Sequence, residues 1–236
     1  MRPFTAVTAG ENGKQGLTTV DTLNQLLMVI IIGNQKGGAG KSTLTLLLAN
    51  YLTLDKRCKV TVLDMDYQQS ISQKFEKAKI LENTEPYEIL AYGLQDFAAL
   101  EDTIKRNPKE IVLIDLPGKL DDDGLIRVFK AADMAVCPFS YDEFSFESTV
   151  PFALVLKKIN PDVHILFVPN RIKAKVKYEL KADVDEQLNR IGLVTAVIPD
   201  RIDFQRVSTF QTPLAVDLVI APVFKAIYEN YIHPRL

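Results

Sequence analysis

Residues 28–43 (MVIIIGNQKGGAGKST) constrain the fold of this chain more strongly than any other stretch. The β-branched apolar residues at its start predict a strand buried on both faces, and the apolar run at 44–52 predicts a helix. The glycines between them let the backbone turn its N–H groups toward an anion beside the N-terminus of that helix. The order strand, glycine loop, helix therefore predicts a phosphate-binding loop.

The end of this loop carries two side chains suited to phosphate chemistry. Lys41 is placed to neutralise the β- and γ-phosphates of a nucleotide, and the Ser42 hydroxyl is placed to ligate Mg²⁺. The alternative is a glycine turn followed by a solvated lysine. This spacing of lysines and glycines is rare by chance, so the sequence favours a site for a nucleotide and Mg²⁺.

The loop departs from the usual pattern G-x-x-x-x-G-K-[ST], because Gln35 replaces the first glycine and Lys36 precedes the double glycine. This arrangement resembles the deviant Walker A motif of the ParA/MinD ATPases. The resemblance implies that Lys36 reaches across an ATP-bound homodimer to the phosphates held by the other subunit. A cation there would stabilise the transition state of phosphoryl transfer. The alternative is that Lys36 is solvated. The nucleotide-binding residues that the resemblance implies for the loop are Lys36, Gly37, Gly38, Ala39, Gly40, Lys41, Ser42 and Thr43.

Two further predicted strands, at 59–64 and 110–116, bring aspartates to their ends. Carboxylates at the carboxyl ends of strands lie where α/β sheets bind ligands. The resemblance implies that Asp66 orients the attacking water, that Asp64 supports the metal region, and that Asp115 holds Mg²⁺ together with Ser42. The alternative for the first two is a turn that caps the predicted helix 70–81. The family pattern Asp-x-Asp-Pro-Gln has Tyr67 in place of its proline here.

Two features of the middle of the chain have structural interpretations. Asp121, Asp122 and Asp123 are favourable residues at the start of a predicted helix 124–131, with a metal cluster as the alternative. Pro151 lies inside the predicted helix 144–159, which predicts a kink or a break there.

The resemblance also implies a site for the adenine base. Asn170 follows the predicted strand 163–168 and would hydrogen-bond adenine, with Arg171 beside it. The loop after a predicted strand at 194–198 would flank the base through Pro199 and Asp200. An ordinary asparagine at a strand end is the alternative for Asn170.

The most basic segment of the chain follows this asparagine. Lys173, Lys175 and Lys177 lie close together in sequence, with Lys181 beyond them. Such a segment would contact the phosphates of nucleic acid without base specificity, and Arg201 and Arg206 would extend the surface. The alternative is a solvated loop and helix start.

Composition limits the remaining classes. The chain has 236 residues, 47% hydrophobic, and a net charge of −2, which predicts one large soluble domain without a general attraction to nucleic acid. Cys58 and Cys137 form no C-x-x-C pair, so a reducing cytoplasm is expected and a disulfide frame is not. Residues 1–27 read as an extension outside a domain at 28–236. A short helix at 20–27, a final helix at 223–232 packed on the sheet, and no membrane span are expected.

Strands alternating with helices predict an α/β fold, a doubly wound and mostly parallel sheet with helices on both faces, as in P-loop NTPases. The resemblance implies a cytoplasmic ATPase that dimerises on ATP. It would act in partition or maintenance of DNA, with non-specific DNA and a centromere-binding or other activating protein as partners. A MinD-like positioner at a membrane and a metabolic or cofactor-maturation enzyme of the same superfamily are the alternatives.

Overall fold

The computed structural model describes residues 27–79, 85–105, 110–119 and 121–235. The helix predicted at 20–27 lies almost wholly outside the described residues. Within them, the strands are β1 (Met28–Ile32), β2 (Lys59–Asp64), β3 (Glu88–Ala91), β4 (Glu110–Asp115), β5 (Met134–Phe139), β6 (His164–Pro169) and β7 (Leu193–Val194). These seven strands form one sheet in the order β3-β2-β4-β1-β5-β6-β7, and every pairing between neighbours is parallel.

The strand order reverses around β1, and this reversal positions the site. The chain first builds β2, β3 and β4 on one side of β1, and then builds β5, β6 and β7 on the other. The loop after β1 therefore leaves the sheet in one direction, and the loops after its two neighbours, β4 and β5, leave in the other direction. This divergence opens a crevice at the carboxyl edge of the sheet. The predicted phosphate loop follows β1 directly.

Helices cover both faces of the sheet, as predicted. The helices described are α1 (Lys41–Asn50), α2 (Ser70–Lys79), α3 (Phe97–Lys105), α4 (Gly124–Ala131), α5 (Glu143–Ile159), α6 (Lys181–Asn189) and α7 (Leu214–Ile227). One apolar core joins one face of the sheet to α1 and α7, and a second core joins the opposite face to α4, α5 and α6. Short 3-10 segments occur at Leu94–Asp96, Ile202–Arg206 and His233–Arg235, and π-helical turns extend α1 and α7 at Tyr51–Asp55 and Tyr228–Ile232.

Strand β1 is buried on both faces, as its sequence predicted. Met28, Ile30 and Ile32 belong to the first core, whereas Val29 and Ile31 belong to the second. This alternation follows the two-residue period of a strand. Each fully buried side chain of this kind contributes about 1.5–3 kcal/mol, so the phosphate loop leaves from a firmly anchored strand.

Helix α5 runs unbroken through Pro151, so of the two predicted outcomes, kink or break, the break is wrong. Pro151 removes one backbone hydrogen bond, but it is exposed and water can satisfy the freed carbonyl. The helix begins at Asp142, whose carboxylate accepts a hydrogen bond from the Ser145 N–H.

The C-terminal third departs most from the predictions. A strand was predicted at 194–198, but β7 ends at Val194, and a single bridge between Ile172 and Pro199 follows. The last helix was predicted to begin at Val223, but α7 begins at Leu214. Pro222 obscured that start in the sequence, yet its exposed position lets the helix continue through it. No helix among the described residues is long and apolar enough to cross a membrane.

Candidate functional site

The glycine loop needs glycine at two positions. Gly38 and Gly40 have φ angles of 73° and 93°, in the left-handed region that other residues rarely adopt. A Cβ on Gly40 would also collide with the amide of Asn170. Gly40 is the residue before the first turn of α1, so the loop amides and the helix N-terminus lie together. This is the arrangement that binds anions.

Lys41 is buried, with only 7% of its surface exposed. Among the described residues no carboxylate lies within 4.0 Å of the Lys41 ammonium group. Gly118 is a close neighbour of this group, since a Cβ added to Gly118 would lie 3.6 Å from the Lys41 Nζ atom. A buried cation without an ion pair is unfavourable unless an anion joins it. The position of Lys41 therefore favours an anionic ligand.

A cleft of about 520 Å³ opens over this loop. Its lining combines loop residues with side chains from the ends of neighbouring strands. The predicted site residues in this lining are Gly37, Gly38, Gly40, Lys41, Ser42, Thr43, Asp66 and Arg171. Six loop residues thus meet Asp66 and Arg171, which are distant in sequence, at the carboxyl edge of the sheet, as predicted for a ligand crevice.

Asp115 ends β4 directly behind the cleft. Its Oδ2 atom accepts a 2.6 Å hydrogen bond from the Ser42 hydroxyl, and its Oδ1 atom accepts one of 3.3 Å from Thr45. Burial, with the nearby charge of Asp64, raises the pKa of Asp115 to about 7, although Ser42 and Lys41 oppose the shift. A carboxylate and a hydroxyl in contact offer two of the hard oxygen ligands that Mg²⁺ prefers.

The described residues contain no group of three or more His, Cys, Asp or Glu side chains able to hold a metal ion. Ser42 and Asp115 therefore fit Mg²⁺ only together with further oxygens, such as those of a nucleotide and water. The carboxylates at 121–123 likewise form no such cluster. Asp122 instead accepts a 2.8 Å hydrogen bond from the Gly124 N–H at the start of α4, whereas the N-cap residue Asp123 makes no side-chain cap hydrogen bond, so the capping interpretation is confirmed only in part.

Asp64 is buried in the protein and is not among the residues that line the cleft. It is fully buried, and its Oδ2 atom accepts hydrogen bonds of 2.9 Å from both the N–H and the hydroxyl of Ser72 in α2. Burial raises the pKa of Asp64 against these hydrogen bonds. Its Oδ1 atom has no hydrogen-bond partner among the residues that the structure describes. Asp64 thus orders the start of α2, and its support of a metal stays a prediction.

Asp66 lies on the loop between β2 and α2 and lines the cleft. Its Oδ1 atom accepts a 2.9 Å hydrogen bond from the Gln68 N–H, and its carbonyl accepts one from the Gln69 N–H at 2.9 Å. Gln69 has a φ angle of 45°, which tightens the turn. The loop therefore holds Asp66 through its own backbone.

A second cavity of about 670 Å³ adjoins the first. The residues predicted at the adenine site, Asn170, Arg171, Pro199 and Asp200, all line it. Gly40, Thr43, Lys74 and Arg171 line both cavities, so the two lie side by side. Sequence reasoning missed Lys74, Ile202 and Phe204, because no motif marks them.

Two side chains after β6 contact the phosphate loop. The Asn170 amide donates a 2.9 Å hydrogen bond to the carbonyl of Ala39, and the Arg171 guanidinium donates one of 3.0 Å to the carbonyl of Gly38. Arg171 has a φ angle of 59°, an unfavourable conformation for a residue with a Cβ, which directs its side chain to this position. The residues after β6 that line the second cavity are therefore in direct contact with the phosphate loop.

Lys36 does not reach into the cleft. Its ammonium lies 2.6 Å from the Asp142 carboxylate at the start of α5. Burial would raise the pKa of Asp142, but hydrogen bonds from Lys36, Ser140 and the Ser145 N–H outweigh it and hold that pKa below its ordinary value. Sequence reasoning missed Asp142, because it lies far along the chain in no recognised motif.

Asn34 is a second residue that sequence reasoning missed. It is buried, and its amide donates hydrogen bonds to the Pro138 carbonyl at 2.7 Å and to the Thr149 hydroxyl at 2.8 Å. Its side-chain oxygen accepts one from the Lys36 N–H at 3.1 Å. Asn34 therefore ties the start of the phosphate loop to β5 and α5.

The predicted basic surface divides into two groups. Lys173, Lys175 and Lys177 lie on an exposed loop, which we call the basic loop (residues 173–177), and none has an ion pair among the described residues. The other cations are paired: Lys181 with Asp185, and both Arg201 and Arg206 with Asp203 at 3.3 and 3.9 Å. The basic loop therefore carries the unpaired positive charge.

Comparison with known proteins places this geometry in a family. The family model described as "CobQ/CobB/MinD/ParA nucleotide binding domain" matches residues 30–214. No curated protein sequence matches the chain.

Three solved structures are similar to the chain, all at low identity. They are a putative plasmid partition protein from Borrelia burgdorferi bound to AMPPNP (22% identity, TM-score 0.66, covering 89% of this chain and 100% of that one), Cyanothece McdA in complex with ATP (16%, 0.66, 86% and 95%) and the cell division ATPase MinD from Pyrococcus furiosus (18%, 0.67, 86% and 99%). These similarities show the shared fold. The family model spans the phosphate loop, both strand-end aspartates and Asn170, and the chain belongs to the CobQ/CobB/MinD/ParA nucleotide-binding domain family.

Proposed function

We propose that this protein binds ATP with Mg²⁺ in the two adjoining cavities and hydrolyses it to ADP and phosphate. The observation that carries the proposal is Lys41, a buried cation without an ion pair among the described residues, beside the glycine loop and the N-terminus of α1. The triphosphate of ATP would supply the missing negative charge. The adjoining cavity at Asn170 has room for the base.

Ser42 and Asp115 are the residues that would hold Mg²⁺. The ion would offset the charge of the β- and γ-phosphates, as it does in other P-loop enzymes. The Ser42 hydroxyl donates to Asp115 at 2.6 Å, so the two oxygens that would hold the ion are already close together. Asp115 must be ionised to act as a ligand, and the positive charge of Lys41 favours that form.

Asp66 would orient the water that attacks the γ-phosphate. Its Oδ1 atom is engaged by the Gln68 N–H, whereas its Oδ2 atom has no recorded partner among the described residues and is available to a water molecule. The aspartate lines the same cleft as Lys41 and Ser42. A carboxylate in that position acts by orientation, which is the main requirement of phosphoryl transfer.

Lys36 would act in a nucleotide-bound homodimer. In the single subunit it pairs with Asp142, and the two side chains are 31% and 43% exposed. A pair at this exposure contributes only about 0–1 kcal/mol. Lys36 can therefore exchange Asp142 for the phosphates of a second subunit at little cost, which favours its predicted action in trans.

The dimer would act on DNA, in segregation or maintenance of a plasmid, chromosome or conjugative element. The unpaired lysines of the basic loop would contact backbone phosphates, and two copies in a dimer would double the contacts. The similar Borrelia burgdorferi structure is described as a putative plasmid partition protein, which supports this role. A centromere-binding or other protein would activate hydrolysis.

Calorimetric titration with ATP and Mg²⁺ tests the site. Wild-type protein should bind, and Lys41→Ala should lose binding, because no cation would remain to offset the phosphates. Lys158→Ala is the matched control, since it removes an exposed lysine near the far end of α5 and should bind as wild type does. Equal affinity of Lys41→Ala and wild type would refute the assignment of the loop.

A further inference from the structure

A hydrogen bond joins two loops beside the phosphate cleft. The Tyr67 hydroxyl donates to the Oδ2 atom of Asp122 at 3.0 Å. Tyr67 follows Asp66 on the loop after β2, and Asp122 lies on the segment between β4 and α4. The bond therefore connects loops that leave two neighbouring strands of the sheet.

Both partners are held by their own loops. The Oδ1 atom of Asp122 accepts the Gly124 N–H at 2.8 Å, which leaves Oδ2 for Tyr67. On the other side, Asp66 accepts the N–H groups of Gln68 and Gln69 through its carboxylate and its carbonyl. The hydroxyl thus links two locally ordered turns rather than two flexible ends.

Burial does not account for the position of Tyr67. The residue is 68% exposed, although its side chain lines the cleft beside Asp66 and Gln68. The hydrogen bond to Asp122 is the largest cause that raises the pKa of Tyr67, and a tyrosine hydroxyl is in any case protonated and able to donate at neutral pH. The contact with Asp122 is therefore the main restraint on this side chain.

We propose that Tyr67 is a positioning residue that latches the loop carrying Asp66 to the segment at 121–124 and so holds the Asp66 carboxylate at the cleft. The inference rests on the proposed ATPase function. Displacement of a catalytic group by about 1 Å can cost about a hundredfold in rate, so a restraint on this loop matters for hydrolysis. The proline of the family pattern has no hydroxyl and could not form this bond.

Steady-state kinetics of Tyr67→Phe test the latch, because phenylalanine keeps the ring and removes only the hydroxyl. The kcat for ATP should fall about three- to tenfold, in the range expected for one partly solvated hydrogen bond to a charged group. The KM should stay within about twofold, because Lys41 and the loop amides are untouched. Tyr231→Phe, at the opposite end of the molecule, is the control and should keep the wild-type kcat.

The partner side gives a second variant. In Asp122→Ser the hydroxyl can still cap α4 through the Gly124 N–H, but it is too short to reach Tyr67. This variant should show the same fall in kcat, and the double variant Tyr67→Phe/Asp122→Ser should fall no further, because both remove one interaction. A wild-type kcat in Tyr67→Phe, or additive losses in the double variant, would overturn the role of the latch in catalysis.

Hydrogen exchange of nucleotide-free protein separates this inference from the proposed ATPase activity. The amides of Gln68, Gln69 and Gly124 are hydrogen-bonded at the two ends of the latch, and they should exchange several times faster in Tyr67→Phe. Unchanged exchange at these amides would refute the latch whether or not the protein hydrolyses ATP. Absence of hydrolysis by the wild type would instead refute the proposed function.

Discussion

The ammonium of Lys36 lies 2.6 Å from the Asp142 carboxylate, which also accepts the Ser145 N–H at the first turn of α5. The lysine predicted to act on a second subunit is thus paired within its own subunit. Its availability depends on the strength of that pair, and this relationship leads to the first two predictions.

Lys36→Ala should bind ATP and lose both hydrolysis and ATP-dependent dimerisation. In the proposed dimer its charge would act on the phosphates only across the interface, whereas Lys41 remains in the binding loop. Light scattering with ATP and a phosphate-release assay measure the two effects. Wild-type turnover by a monomeric Lys36→Ala protein would contradict the action in trans.

Asp142→Asn should shift ATP-dependent dimerisation to a lower protein concentration, by up to about thirtyfold, because each of the two subunits of the homodimer loses one such pair. The substitution removes the ion pair of about 0–1 kcal/mol and releases Lys36, while asparagine still caps α5. Light scattering over a concentration series measures the shift. A higher concentration requirement, with an unchanged melting temperature, would mean that Asp142 contributes to the interface itself.

Asp66→Ala should accumulate an ATP-bound dimer, because the phosphate contacts persist while the water is no longer oriented. Its turnover should fall at least about a hundredfold, which is the lower range for loss of a group that orients or deprotonates a nucleophile. Dimer lifetime by light scattering and phosphate release provide the measurements. Asp64→Asn is the variant used for comparison. Wild-type turnover in Asp66→Ala itself would show that another group orients the water.

Asp115→Asn should stabilise the protein in the absence of Mg²⁺ and nucleotide, and only at higher pH. The pKa of Asp115 is about 7 in the folded protein, whereas an unfolded aspartate has a pKa of about 3.9. The folded state therefore binds the proton more tightly, and its stability decreases as pH rises from about 4 to 7 and is lowest above 7.

Because asparagine carries no charge, Asp115→Asn lacks this penalty. Its melting temperature should exceed that of the wild type by at least about 3 °C at pH 8, at roughly 2–4 °C per kcal/mol for a chain of this size. The difference should be several times smaller at about pH 4.5, where most of the penalty is absent. Thermal unfolding at the two pH values measures it, and a constant difference would show that ionisation of Asp115 is not the cause.

Alanine at Lys173, Lys175 and Lys177 together should weaken binding of the ATP-bound protein to duplex DNA on all sequences alike. Each subunit should lose up to three phosphate contacts. The plot of log affinity against log salt should therefore become less steep, by up to about 2.7 for each subunit that contacts the DNA. ATP binding should not change. Filter binding between about 50 and 200 mM salt measures both quantities.

The control for charge is alanine at Lys130, Lys158 and Lys225, which removes the same net charge from three exposed helical positions. That variant should bind DNA nearly as well as wild type. If both triple variants lose affinity equally, the effect belongs to net charge and the basic loop is not a specific surface. If neither loses affinity, DNA is not bound there.

The sequence predicted the elements around the phosphate loop well, because their signals are local. A β-branched apolar run, glycines and Lys41-Ser42 are contiguous, so periodicity and motif together predicted β1, the loop and α1. The ends of β2 and β4 were predicted for the same reason. Prediction failed after Asn170, where Pro222 hid the start of α7 and an edge strand shortened to two residues.

The sequence by itself indicated the family, most of the order of strands and helices up to Asn170, and the side chains that we propose contact phosphate. Only the tertiary structure decided how these side chains are partnered, because hydrogen bonds and ion pairs depend on distances between segments far apart in the chain. Lys36 meets Asp142 across 106 positions and Tyr67 meets Asp122 across 55. The parallel sheet brings these segments to one edge, and no pattern within either segment identifies its partner.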